Sequence, residues 1–425
     1  MAKHRNRSSK SQVQIAEAIH VQLPLPVLGA LLDARTAFFN LCVETGQQVL
    51  MHMQEADREV LCGPKGKHDP GREAYRGGST PSRVVLGGRE ISIPRLRVRS
   101  DDGEESLASF QWASDRDPLD AYTVEVIAAG ASTRKYRRTL DPLPAGVNQV
   151  GVSKSAVSRR FVALTTRQLG EFTSRTFSEM DLRIIYIDGK VFKEHCILVA
   201  LGIDSDGKKH VLGLREGATE NARVVKALIT DLVDRGLSTD NPILFVIDGA
   251  KALRKAIKDV FGEYGVVQRC QLHKRKNVMA HLPEDLHASV DRAMKDAYRA
   301  ESAELAKQQL NRLAGSLERD HPGAANSLRE GLDETLTVIH LGVKDALRRT
   351  LSTTNPVENL NGSVEHYTRN VKRWRHGKMI VRWVAAALVD AEKKFRRIRG
   401  YRDLADLFAS LDEHVGKVQD EVQAA

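Results

Sequence analysis

The sequence predicts a multidomain α+β protein with an α/β core, an N-terminal helical and β region, and an all-helical stretch inserted before the core is completed. Three observations carry this. Two short apolar runs, 183–187 and 243–247, each lead into Asp-Gly, at Asp188-Gly189 and Asp248-Gly249, as buried strands of an open α/β sheet do. Apolar residues recur at helical spacing over 219–235 (Val224, Ala227, Leu228, Leu232) and over 250–261 (Leu253, Ile257, Phe261). Residues 283–351 lose all alternation and are rich in Ala, Leu, Glu, Lys and Arg.

Composition limits the class. The 425 residues leave room for two to four domains at ~150 residues each. The apolar fraction of 41% supports real cores, and the net charge of +10 points to a polyanionic partner. Between 364 and 399, eleven Lys/Arg face three Asp/Glu, so the charge is concentrated. Cys42, Cys62, Cys196 and Cys270 have no paired spacing, which argues for a reducing compartment and against a disulfide scaffold. A polar, basic start with no apolar segment after it, and no run of ~20 apolar residues, predict a cytoplasmic protein with no membrane span.

Residues 1–115 read as an N-terminal helical region with a small basic hairpin. The first 14 are polar and expected to be disordered until bound. A helix is predicted over 27–60, a mobile basic loop over 63–79, and a hairpin turning at Gly87-Gly88 and ending in Pro94-Arg95-Leu96-Arg97. Residues 116–178 read as a helical, helix-turn-helix-like region. There Ser153 is a candidate N-cap, with Lys154, Ser155, Ser158 and Arg159 opposite Val157 and Phe161. Short polar and basic side chains on one face suit a helix that meets base edges and phosphates. The connection 133–140 is longer than the turn of a true helix-turn-helix, and a plain helical bundle is the alternative.

The core begins in 179–282. Strands over 182–188, 195–202 and 210–214, the second pair joined by a turn at Asp204–Gly207, precede a helix, the Asp248 strand, a helix and a last strand at Val266-Val267. That order is the one of a ribonuclease-H-like fold. Residues 283–351 are then the all-helical insertion. Residues 352–400 complete the core, with a helix capped around Thr354-Asn355-Pro356 and an amphipathic helix over 378–398 (Ile380, Val384, Leu388, Ala391, Phe395, Ile398 inward), and 401–425 form a helical tail.

Two strands reaching Asp-Gly in so basic a chain suggest a metal site that cuts phosphodiesters. Two hard cations, Mg2+ or Mn2+, ~4 Å apart activate the attacking oxygen and hold charge on the leaving one, and they take oxygen ligands. Asp188 and Asp248 suit a central strand and a neighbouring tip. The third carboxylate is Glu358, in the first turn of the helix after the insertion, with Glu365 seven residues on as its competitor. Cys270 and His273 form a C-x-x-H. No second pair at zinc spacing follows it, although His195, Cys196, His281 and His287 are within reach. Its expected role is to position the strand end, the metal site or the DNA backbone, with Lys274, Arg275 and Lys276 on phosphate. Arg369, Lys372, Arg373, Arg375 and Lys378 are expected on DNA as well, with Trp383 in the core. Trp374, between two arginines, is read as an exposed platform on which an unpaired base stacks.

These residues resemble a mutator-type bacterial insertion-sequence transposase, a DDE-family recombinase. The likeness rests on Asp188-Gly-Lys190, on Val246-Ile-Asp248-Gly-Ala-Lys-Ala-Leu253 and on Gln268-Arg-Cys270-Gln-Leu-His273-Lys-Arg-Lys-Asn277. It continues in Thr354-Asn-Pro-Val-Glu358-Asn-Leu-Asn361 and Trp374-Arg-His-Gly377, over about the last two-thirds of the chain. It implies Asp188, Asp248 and Glu358 as an acidic triad holding the metal, and an N-terminal region that binds terminal inverted repeats. The implied partners are double-stranded DNA, both transposon ends and target, and a second copy of the chain, in a bacterial cytoplasm at the nucleoid. Asn359 stands where many relatives carry Arg, which keeps Glu365 open. A DNA-binding regulator that does not cut, and a structure-selective nuclease, are the rival classes.

Overall fold

The computed structural model describes residues 34–67, 71–72, 74–115, 136, 149–150, 152–192, 195–217, 222–369, 371, 373–374 and 376–424. The chain divides into two compact units, Met1–Phe161 and Val162–Ala425. The readings of the first 33 residues, of the connection 133–140, and of Lys372 and Arg375 lie outside the described residues.

The first unit sets helix α1 (Ala34–Cys62) against a sheet of β1 (Ala74–Leu86), β2 (Arg89–Ser100) and β3 (Gly103–Glu105), followed by α2 (Ala108–Asp115) and by β4 (Gln149–Val150), which pairs with β2. Alternation along β2 places Ile91, Ile93, Leu96 and Val98 inward, and Val43 and Leu50 of α1 meet Ile91, Ile93 and Val84 in one cluster. The two-residue turn is as expected: Leu86 pairs with Arg89, and Gly87 and Gly88 have φ of 62° and 73°, the positive values a type I′ hairpin requires. The basic loop expected over 63–79 ends earlier, because residues 74–79 already belong to β1. The register shift between Arg76 and Ser79 accommodates Gly77 and Gly78 as a bulge. Helix α3 (Lys154–Thr173) begins with Ser153 accepting a hydrogen bond from Ala156 N, 3.3 Å, the N-cap read from sequence. Val157 and Phe161 are buried, and Lys154, Ser155, Ser158 and Arg159 are exposed.

The second unit holds a five-stranded sheet: β5 (Leu182–Phe192), β6 (His195–Asp204), β7 (Lys209–Gly217), β8 (Ile243–Ile247) and β9 (Gly265–Arg269). Their order is β7-β6-β5-β8-β9. The first three form an antiparallel meander, whereas β8 and β9 run parallel to β5. The parallel crossovers are helices α4 (Ala222–Asp234) and α5 (Lys251–Phe261). Their apolar stripes, Val225, Leu228, Ile229 and Leu232 on one and Leu253, Ala256, Ile257 and Phe261 on the other, bury one sheet face. Asp204 accepts from Lys208 N and pairs with His210 in the β6–β7 turn, as a turn residue should.

After β9 the described residues are helical: α6 (Gln271–Met279), α7 (Glu284–Ala297), α8 (Ala303–Leu317), α9 (Pro322–Arg329), the short α10 (Leu332–Thr335) and α11 (Thr337–His340), α12 (Asp345–Leu351), α13 (Asn355–Thr368), α14 (Gly377–Glu392) and α15 (Leu404–Ala424). Residues 283–351 contain no strand. The exposed edge of β9 is closed by this segment: Thr337 donates to Val267 O, and the buried Gln268 donates to Thr335 O while accepting from Val338 N. Helix α14 stops six residues short of the expected 398. Its last residue, Glu392, is held by Val211 N and Arg175, and the chain then turns so that Ile398 N reaches Gly207 O.

Candidate active site

Sheet register places the first two carboxylates. Ile187 of β5 is registered with Ile247 of β8, and Ile247 with Arg269 of β9. The next residue on each strand is Asp188, Asp248 and Cys270, so the three stand level on adjacent parallel strands. Asp248 follows the last residue of β8, as expected, and its carboxylate caps the turn by accepting from Ala250 N, 2.9 Å. Asp188 is not a strand tip. β5 continues to Phe192 because its antiparallel partner β6 runs alongside, with Asp188 opposite Val199; only the parallel pairing stops at Ile187.

The third group arrives on α13. Pro356 in its first turn suits the missing N–H, and Val357, Leu360 and Val364 bury one face, which fixes the rotation of the helix. Glu358 lies in the first turn, with Oε1 3.8 Å from His273 Nδ1. Asn361, one turn on, is buried and donates through Nδ2 to Asp188 Oδ2, 2.6 Å. Burial, then the charges of Asp248 and Glu358, push the Asp188 carboxyl up to about 6, against the opposing pull of His273 and Asn361. Asp188 thus feels the charge of both Asp248 and Glu358. Glu365 is placed elsewhere: its carboxylate takes Lys190 Nζ at 2.6 Å.

Cys270 is fully buried and ends β9 as Asp248 ends β8, with Cys270 N donating to Ile247 O, 2.7 Å. Its sulfur accepts from His273 N at the start of α6 and from Thr354 N at the start of α13. Burial raises the thiol pKa, but the hydrogen bonds from His273 and Thr354 outweigh it and leave the pKa lowered. His273 is shifted upward, first by its hydrogen bond with Cys270 and further by the charges of Cys270, Glu358 and Asp248. Gln271, the next signature residue, is buried and donates to Thr335 O, so part of this motif is architectural.

The basic triplet is divided by the fold, which corrects the phosphate role expected for two of its members. Lys274 is 2% exposed and donates to Ser327 O and Glu330 O, both 2.6 Å, because α6 turns it toward α9. Arg275 is paired with Asp291 of α7, Nε to Oδ1 2.6 Å. Lys276 alone of the three is exposed. Burial, then the Arg269 charge, push Lys274 down to about 8. The unfolded chain thus binds more protons between about pH 8 and 10.4, and this lysine makes stability rise with pH across that window. Across it, the melting temperature of wild type should climb relative to that of Lys274→Met, and parallel curves would refute this.

Arg369, Arg373 and Lys378 are exposed. Trp374 is not the free platform expected: it is half-buried, edge-on to Phe192 at the end of β5, with centroids 5.9 Å apart. Trp383 likewise is half-buried rather than in the core, edge-on to Tyr367 at 6.1 Å. A helix break falls before Gly377, as expected. His376 caps α14 by accepting from Met379 N, 3.2 Å, and the Glu216 carboxylate, itself held by His195 at 2.6 Å, fills the place of a Cβ on Gly377. Thr354 and Asn361 were missed as site residues. The available signal was a short amide, Asn361, on the apolar stripe Val357–Leu360–Val364, since a buried polar group needs a partner.

Similarity to known proteins extends over much of the chain. The chain is 26% identical over 375 residues to the transposase for insertion sequence element ISRM5 of Rhizobium meliloti, covering 86% of this chain and 91% of that one. It is 25% identical over 370 residues to the transposase for insertion sequence element IS256 in transposon Tn4001 of Staphylococcus aureus, covering 84% and 88%. To the transposase for insertion sequence element IS6120 of Mycolicibacterium smegmatis it is 30% identical over 228 residues, covering 52% and 69%. The family profile described as Transposase, Mutator family, matches residues 32–398, from α1 to past the end of α14 and across every residue of the carboxylate cluster; the chain belongs to that family.

Proposed function

We propose that this chain is a DDE-type DNA transposase, which binds the terminal inverted repeats of its element and carries out metal-dependent strand cleavage and strand transfer. The observation that carries the reading is that Asp188 and Asp248 follow registered positions of β5 and β8 while Asn361, one turn after Glu358 on α13, hydrogen-bonds Asp188. That strand order, antiparallel in its first three strands and parallel in the rest, supports a ribonuclease-H-like core.

Two Mg2+ or Mn2+ ions fit the residues present. The donors are hard carboxylate oxygens, and Asp188 is pushed upward first by burial and then by the charges of Asp248 and Glu358, both of which a bound cation would offset. Asp188, Asp248 and Glu358 would hold the ions, which when bound supply an activated oxygen nucleophile and charge stabilisation on the leaving oxygen. Asn361 orients Asp188 by its hydrogen bond to Oδ2. The exposed Lys276, Arg373 and Lys378 are suited to the DNA backbone beside the carboxylates. In the first unit the exposed row Lys154, Ser155, Ser158 and Arg159 suits duplex recognition. Trp374 remains a stacking candidate through the part of its ring not covered by Phe192. Action as a homodimer on two DNA ends, in the bacterial cytoplasm at the nucleoid, belongs to the same reading; among the described residues no helix is long and apolar enough to cross a membrane.

Incubation with DNA carrying the sequences that flank its own gene, with and without Mg2+, tests the reading. Nicking that exposes a 3′ end at the element boundary, followed by joining to a second duplex, is the expected result. Binding without cutting in either buffer would favour a regulator, and cutting of branched DNA irrespective of sequence a structure-selective nuclease.

A further inference from the structure

The C-x-x-H and the start of α13 share one atom. Thr354 is fully buried, and its hydroxyl lies 3.3 Å from Cys270 Sγ and 3.4 Å from His273 Nδ1 while hydrogen-bonded to Glu358 Oε1. The ligand atoms of Cys270, His273 and Glu358 all fall within 4.8 Å of one another, a grouping that by spacing alone would suit a soft metal such as zinc. The Thr354 hydroxyl contacts all three groups, and zinc, which needs bonds of ~2.0–2.3 Å to each ligand, would have to compete with it for them.

Thr354 is the N-cap of α13, yet its side chain makes no capping hydrogen bond to that helix. A hydroxyl has one proton and two lone pairs. That proton can go to Glu358 Oε1 or to the Cys270 sulfur, and the sulfur also accepts from the backbone N–H groups of His273 and Thr354. The end of β9, the start of α6 and the start of α13 are thereby fixed around one sulfur and one hydroxyl.

We propose that Thr354, seated on Cys270 and His273, is a positioning residue that sets the Glu358 carboxylate for metal binding, and that the C-x-x-H acts as its mount and not as a metal site. The assignment rests on Glu358 being a metal ligand, as proposed above. Groups that orient a metal's ligands typically account for ~10–100-fold in metal affinity or activity.

The test has two readouts on the full chain: Mn2+ affinity of the protein alone, followed by electron paramagnetic resonance, and Mg2+-dependent cleavage of its own end DNA. Thr354→Val, which keeps shape and removes the hydroxyl, should weaken Mn2+ binding by about 10-fold or more at unchanged DNA affinity, and cleavage should need correspondingly more Mg2+. Thr354→Ser should restore both, and Glu358→Gln sets the floor. Thermal unfolding of each variant separates this from loss of fold, because a merely structural threonine would lower the melting temperature without moving the metal dependence. Wild-type Mn2+ and Mg2+ responses from Thr354→Val would overturn the proposal. So would a thiolate-to-cobalt absorption band on Co2+ addition that vanishes in Cys270→Ser, since the triangle would then hold a soft metal. Wild-type protein that binds Mn2+ through Thr354 and Glu358 but never cuts would refute the transposase reading alone, and wild type that binds no ion would refute both.

Discussion

Asp248→Asn is expected to lower strand cleavage by about 10³-fold or more while leaving duplex affinity essentially unchanged, the scale set by losing one fixed charge-stabilising group at a reacting centre. The substitution is nearly isosteric. The amide that replaces the carboxylate would still offer an oxygen to Ala250 N, the hydrogen bond the Asp248 side chain makes among the described residues, so the turn after β8 should keep its shape. What is lost is a negative charge that acts on Asp188, and with it a ligand of the proposed cation site. Asp248 sits beyond the last residue of β8 and is not fully buried, so removing its charge leaves no orphaned core group. Cleavage measured on end DNA, paired with a gel-shift titration, checks both halves. A variant that loses binding together with cleavage would make Asp248 a structural residue.

Gly249→Ala should be the most damaging of the single-methyl changes near the site, destabilising the second unit by about 2–4 kcal/mol through backbone strain and overpacking together. Gly249 has φ of 100°, where a side chain is strained whatever the space. Space is lacking too, since a Cβ there would overlap the Arg269 guanidinium. That guanidinium cannot easily withdraw: Arg269 is 6% exposed, donates to Glu330 O at 3.1 Å, and lies against Gly331, a second positive-φ glycine with no room for a Cβ. The glycine after the aspartate thus lets a buried arginine pass behind the turn that carries Asp248. Chemical unfolding would show the loss. A midpoint within experimental scatter of wild type would mean that Arg269 relocates freely and that this packing is not tight.

The amino-acid sequence by itself determined most of the elements and the family to which the chain belongs. Continuous apolar runs marked β5 and β8 because strands covered on both faces have no polar side to show, and the 3.6-residue stripes of α4, α5 and α14 marked the helices that cover or complete them. Asp188, Asp248 and Glu358 could be singled out because two apolar runs reach Asp-Gly and a carboxylate falls in the first turn of a helix, in a basic chain. The two-residue glycine turn was legible because its geometry is local. Tertiary structure alone decided whatever depends on partners distant in sequence. β6 carried β5 past Asp188, an effect invisible in β5 itself. Lys274 and Arg275 looked like surface cations until α9 and α7 supplied a carbonyl pair and a carboxylate to hold them. Trp374 found Phe192, nearly two hundred positions earlier in the chain. Glu358 and Glu365, seven residues apart on α13, received different partners, His273 and Thr354 for the first and Lys190 for the second. Thr354 and Cys270, 84 residues apart, became neighbours only when the chain returned from its helical excursion to the end of β9. Spacing along a chain encodes periodicity, and periodicity fixes local structure; which side chain meets which is set by how the elements pack.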